Sequence, residues 1–242
     1  MSRSKLFLSV AAALMGSAPL CAASLQVQPA LVDVVAPGAA STVTLRNTGP
    51  TPINVQVRVF RWSQADGEES LKPTEDVVAS PPAVTLAPNS DYVARIVRIV
   101  KQPVVDEEAY RLLVDELPDV GQSKTNAVKL LVRHSIPVFF AAQDRTVPAV
   151  NWSILRRGDR VVLSARNDGG SRLRVSALSL RDQSGRSVTL GTGLVGYALS
   201  QSTMRWVLPA SGRNIAASGP VSISANGNDG PIRATASVSD GR

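Results

Sequence analysis

Reactive side chains are scarce in this 242-residue chain, which carries one histidine, His134, and one cysteine, Cys21. A single histidine cannot share a metal with another, and neither an HExxH spacing nor a His/Cys cluster occurs. No GxSxG elbow or phosphate-cradling glycine loop is present. Aromatic residues make up 4% of the chain, too few for the stacking platforms of single-stranded nucleic-acid binders. The arginines are scattered rather than gathered in a basic stripe, so the formal charge of +7 reads as solubility and contact with acidic surfaces. These absences argue against an enzyme, a metal site, a cofactor, a small-molecule substrate and a nucleic-acid partner.

Long hydrophobic runs are missing too. The one candidate, Leu6 to Met15, is too short to span a bilayer. It lies between a positive start (Arg3, Lys5) and the small residues Cys21-Ala22-Ala23, which is the layout of a secretory signal peptide over residues 1–23. Leu20 stands where a lipoprotein signal would need a small residue before Cys21. Removing 23 residues leaves 219, enough for two domains of about 100 residues. The charge then falls to +5, and no cysteine remains for a disulfide. The protein must be held by its cores alone.

What is present is alternation. "STVTLRNTGPTP", "INVQVRVFRW", "VTLAPNSDYVARIVRIV" and "YRLLVDELP" read as short strands with turns at Asn47–Pro50, Asp66-Gly67 and Pro88-Asn89-Ser90. In the third segment Val93, Arg95, Val97 and Ile99 share one side. After a joint near Ala141–Ala149 the pattern restarts, with hairpins turned at Arg157-Gly158-Asp159 and Gln183-Ser184-Gly185. No segment shows a capped 3.6-residue apolar period. The expectation is all-β, two Ig-like sandwiches over 24–142 and 143–242. "LRNTG" and "ARNDGG" (Leu45–Gly49, Ala165–Gly170) fall at comparable places in the two halves. "LGTGLVG" (Leu190–Gly196) matches GxGxxG but lacks a strand–turn–helix setting, so it reads as a loop. Glu68-Glu69 and Glu107-Glu108 read as solvated turns.

The segment "VKLLVRHSIPVFF" (Val128–Phe140) follows a polar stretch, "DVGQSKTNA", and reads as a long strand. Val128, Leu130 and Val132 share one face, and Leu131 interrupts the polar one. The ordinary fate of such a row is the strand's own core. The order of "LAPNSDYVARIVRI", "EAYRLLVDELP", a loop and then this strand resembles the periplasmic chaperones of the chaperone–usher pilus pathway. The resemblance covers nearly all of the chain after the signal. It implies two Ig-like domains set at an angle and a periplasmic location. It also implies pilus subunits and an outer-membrane usher as partners. Val128, Leu130 and Val132 would then be lent to a subunit that lacks a strand. The same open strand would let free copies cap one another.

Better-known members of that family anchor the subunit's terminal carboxylate on a basic pair in the cleft. Here those positions fall at Pro29 and Pro137, which implies the divergent, archaic-type branch. Arg111, Arg98, Arg95 and Arg133 are the candidate substitutes, Arg111 first, because a guanidinium grips a carboxylate bidentately. The competing reading is a secreted Ig-like adhesin or structural surface component. For that the three tryptophans, Trp62, Trp152 and Trp206, are a thin basis.

Overall fold

The computed structural model describes residues 24–118, 130–216 and 218–240. The expected signal segment, the polar stretch 119–127 and Val128 lie outside them. The described residues form strands, turns and one 3-10 turn at Ala210–Asn214.

Two sheets build the first half. One has the order β1 (Leu25–Gln28), β3 (Ala40–Asn47), β8 (Ser90–Arg98), β6 (Val77–Ser80). The other runs β2 (Val32–Val35), β10 (Arg133–Ala141), β9 (Glu107–Leu117), β4 (Ile53–Ala65), β5 (Glu68–Pro73), with β7 (Ala83–Leu86) also on β4. The period-2 patterns bring Leu45, Val55, Ile96, Tyr110, Leu112 and Phe140 together between the sheets. On β8 the inward row is Ala94 and Ile96; Val93, Arg95 and Val97 line the outer face. Pro29, which has no N–H to offer a ladder, stands where the chain leaves β3 and crosses to β10 as β2.

The second half is one eight-stranded sheet. Its order is β14 (Ser187–Thr189), β13 (Leu173–Asp182), β17 (Pro220–Asn226), β18 (Pro231–Asp240), β11 (Val150–Arg157), β12 (Arg160–Asn167), β16 (Ser202–Val207), and β15 (Leu194–Ala198) adds to β13. Its inner face encloses Ile154, Leu163, Leu178, Leu180 and Ile223. Each half also pairs an early strand in parallel with its last strand, β2 with β10 and β11 with β18.

The two similar motifs noted in the sequence occupy equivalent corners. The buried Asn47 amide donates to the carbonyls of Thr51, Leu86 and Ala87 at 2.8, 3.2 and 3.1 Å, and its oxygen accepts the Gly49 N–H at 2.9 Å. Asn167 repeats this with Ser171, Ala198 and Leu199 at 2.7, 3.1 and 3.0 Å and with the Gly169 N–H at 3.0 Å. Buried backbone groups must be satisfied, and one amide does so for a whole turn in each half.

The halves meet through the β4–β5 hairpin. Asp66 and Gly67, at φ of 53° and 84°, form the tight turn that Asp-Gly favours. Its tip lies on β16, where the Arg205 N–H donates to the Gly67 carbonyl at 3.2 Å. A Cβ at Gly67 would fall 2.4 Å from the Arg205 side chain. Behind the tip, Gln64 donates to the Tyr197 carbonyl at 2.8 Å and accepts from the Leu199 N–H at 2.9 Å.

Candidate functional site

The strand expected from Val128 becomes a β-ladder only at Arg133. Leu130, Leu131 and Val132 are outside any strand, held by one backbone bond from the Glu116 N–H to the Val132 carbonyl at 2.9 Å. The reason is a missing neighbour. Strand β9 pairs with β10 along its whole length, whereas β2 pairs only with Val138–Ala141. Residues 133–137 therefore have one strand edge without a ladder partner among the described residues. A peptide segment paired on one side only has half the support that fixes an inner strand.

The side chains follow that gradient. Leu130 is 79% exposed, Leu131 is exposed and Val132 is partly buried. From Ile136 to Ala141 every residue is buried. The root is tied down at Asp115, which sits opposite Arg133 in the register. Its carboxylate accepts from Arg133 Nε and, at 2.7 Å, from Arg58. Burial alone would raise the Asp115 pKa; the two guanidiniums outweigh it and hold the group below the ordinary range. His134, expected to be partly exposed, lies with its ring nitrogen 3.0 Å from the Leu25 carbonyl.

The candidate arginines have different surroundings. Arg98 is nearly buried, forks onto Glu108 with two bonds of 2.8 Å and donates to the carbonyls of Val100 and Gln102. Its donors are occupied within the domain. Arg133 is engaged by Asp115. Arg95 is exposed on the outer face of the other sheet. Arg111 lies between Phe60 and Pro137 on the outward face of the six-stranded sheet. Its guanidinium stacks 3.8 Å from the Trp62 ring centre. Desolvation lowers its pKa, partly offset by Glu69. Among the described residues no carboxylate lies at ion-pair distance from it.

Sequence reasoning missed what surrounds Arg111. Trp62, Ala109, Phe139, Tyr197 and Leu199 form an apolar cluster that joins the halves. Trp62 meets Tyr197 edge-on at 5.6 Å, and Phe139 lies 5.9 Å from each of them. Beside it Arg172 stacks 3.7 Å over Phe139 and bonds Glu107 and Asp33, at 2.5 Å each. Glu107 and Glu108 are not solvated turns. The Glu107 side chain is 1% exposed, and burial raises its pKa despite Arg172. Glu108 takes Arg98 and the Tyr110 hydroxyl. A pair of acids opening a strand has the same local pattern whether it meets water or a second domain, so no sequence signal separates them.

With this geometry in place, the comparisons are specific. A family model described as "Pili and flagellar-assembly chaperone, PapD N-terminal domain" matches residues 24–144, half of the chain. The chain belongs to this family of pilus-assembly chaperones. Among solved structures, the chaperone–tip subunit pre-assembly complex CsuC–CsuE from the archaic Csu pili of Acinetobacter baumannii holds a match at 26% identity and TM-score 0.68. That match covers 91% of this chain and 100% of the other. The Escherichia coli chaperone DraB matches at 22% identity and TM-score 0.57, covering 89% and 98%. The Salmonella enterica SafB chaperone structure with SafA pilin matches at 18% and TM-score 0.59, covering 87% and 95%. Both of these support the fold alone. No curated protein matches the sequence. The pilus-chaperone fold therefore extends over both Ig-like halves: the alternation predicted two such halves, and the resemblance supplied the family. Among the described residues no helix is long and apolar enough to cross a membrane.

Proposed function

We propose that this chain is a periplasmic chaperone, exported by residues 1–23, that holds pilus subunits and delivers them to an outer-membrane usher. The domain boundary in this reading lies between 142 and 143. One observation carries the proposal: β10 is firmly rooted, yet its forward half is unpaired on one edge and leads into an exposed Leu130. An incomplete sandwich offers the complementary surface, an open sheet edge and an uncovered core groove. Backbone pairing would supply sequence-tolerant affinity, and Val128, Leu130 and Val132 would enter the groove. Each such side chain contributes roughly 1.5–3 kcal/mol before ordering costs. The subunit's terminal carboxylate would meet Arg111, whose stacking on Trp62 orients the fork without using its donors. The reaction needs no cofactor, because the guest's folding supplies the free energy. Without a guest, two copies would cap one another.

The test is co-purification with a tagged subunit. Leu130→Asp with Val132→Asp should leave the fold intact and abolish retention. Equal recovery of the subunit with this variant would refute the strand-lending reading. Arg111→Ala should lower recovery while thermal unfolding stays unchanged; undiminished recovery would move the anchor elsewhere.

A further inference from the structure

The two halves carry very different charge. Residues 150–242 contain twelve arginines, five aspartates, no lysine and no glutamate, a formal +7. Residues 24–149 contain twelve basic and fourteen acidic residues, a formal −2. Six of these arginines are already engaged: Arg172 at the joint, Arg166, Arg186 and Arg213 with aspartates, Arg156 and Arg205 with carbonyls. Among the described residues Arg174, Arg181 and Arg233 are exposed and make no side-chain hydrogen bond or ion pair, as is also true of Arg157 and Arg160 at the β11–β12 turn.

Arg174, Arg181 and Arg233 share one surface. Strand β13 carries Arg174 and Ser176, bulges at Ala177 (φ 50°), and resumes with Ser179 and Arg181. The bulge inserts a residue, so both arginines face outward although they are seven positions apart. On neighbouring β17 the outward residues are Ser222, Ser224 and Asn226; on β18 they are Arg233, Thr235 and Ser237. Arg181 lies beside Ser222, which lies beside Thr235, and Ser224 lies beside Arg233. Arg181 and Arg233 are thus two strands apart, about 10 Å across the sheet. Asp182 faces inward, held by Ser184, Arg186 and the Ala216 N–H. The other nearby acid, Asp229, sits at the β17–β18 turn rather than on the face.

We infer that this arginine–hydroxyl face is a docking surface for a carboxylate-rich segment of a partner protein. Planar guanidiniums pair bidentately with carboxylates, and the intervening serine and threonine hydroxyls can donate to the remaining lone pairs. A lipid surface fits less well, because a single exposed leucine, Leu194 opposite Ser176, flanks the arginines, too little apolar surface to enter the headgroup layer. Nucleic acid fits less well, because no aromatic side chain is there to stack on. The surface lies on the second domain: Arg174 sits nearest the joint, opposite Tyr197, and Arg181 and Arg233 lie farther along the sheet; it includes no residue of β10, so it does not depend on the strand-lending reading.

The experiment measures binding of a fluorescent oligoglutamate peptide to the full chain by anisotropy, at about 10 mM salt, where the Debye length is about 30 Å. Replacing Arg174, Arg181 and Arg233 with Glu should weaken binding about tenfold or more, given up to about 1 kcal/mol per exposed pair. The matched control, Lys72, Arg157 and Arg160 replaced with Glu, carries the same charge change and should stay within about twofold. A second triple, Arg to Gln at 174, 181 and 233, guards against misfolding through repulsion. Equal weakening by both Glu triples would overturn the proposal, leaving net charge as the cause. So would tighter binding of phosphatidylglycerol vesicles than of the peptide.

Discussion

The two domains close the same corner with the same residue, and the singly paired part of their last strands leads to different places. Asn47 and Asn167 make matching bonds at matching turns. β18 is paired with β17 on one edge over Pro231–Ser237 and with β11 on the other over Ser237–Asp240, so its cover passes from one edge to the other at Ser237. Its counterpart β10 has β9 throughout but β2 only for its final four residues. A sandwich is stable when its edges are covered. Among the described residues, the first domain leaves one edge of β10 without a ladder partner over 133–137; at the root Asp115 clamps Arg133 and residues 136–141 are sealed. The singly paired part of β18 starts from the turn after β17, where the Gly227 N–H donates to the Gly230 carbonyl at 2.7 Å, whereas that of β10 runs back into the exposed Leu130.

Substitutions can test this comparison. The largest effect is expected at the shared corner. Asn167→Ala leaves three carbonyls and the N–H groups of Gly169 and Ala149 without their partner. It should cost about 3–5 kcal/mol in urea unfolding, with Asn47→Ala costing somewhat less for its one fewer bond. A loss under about 1 kcal/mol at either site would break the equivalence.

Next comes the joint. Arg172→Ala strands the buried Glu107 carboxylate and should cost about 3 kcal/mol. Calorimetry should then resolve two transitions where a single one is expected for the native chain, because the halves lose their tie. A single, unshifted transition would show that the aromatic cluster and the Gln64 clamp suffice.

The smallest effect concerns the root of the open strand and appears as pH dependence. The folded pKa of Asp115 lies below its unfolded value. Its contribution is therefore complete above about pH 4, the unfolded value, and is lost as pH falls through the lower folded one. Asp115→Asn should cost about 1–2 kcal/mol at neutral pH and flatten the loss of stability below pH 4. Hydrogen exchange should show faster opening at residues 133–135 while β18 is unaffected. Identical acid profiles for the two proteins would mean that Arg133 is not held by this charge.

Much of the fold was legible in the chain because a strand's two faces are written in alternate residues. Val55, Val57 and Val59 declare the inner face of β4, and Asp66-Gly67 declares its turn. The same logic assigned Val93, Arg95 and Val97 to one side of β8, but not which side; two alanine- and isoleucine-bearing positions, Ala94 and Ile96, took the core. The site was legible only in part. Leu130 and Val132 could be named, but where the ladder stops depends on which strand lies alongside. Arg98, Arg111 and Arg133 look alike in sequence. Only the fold gives Glu108 to the first, Trp62 to the second and Asp115 to the third.

By itself, then, the sequence determined an all-β chain in two units, because period-2 patterning and turn residues act over a few neighbouring positions. Tertiary structure decided which edge stays open, which arginine stacks on Trp62 and which glutamates are buried. Those properties depend on partners far away in sequence, and no local pattern encodes the partner.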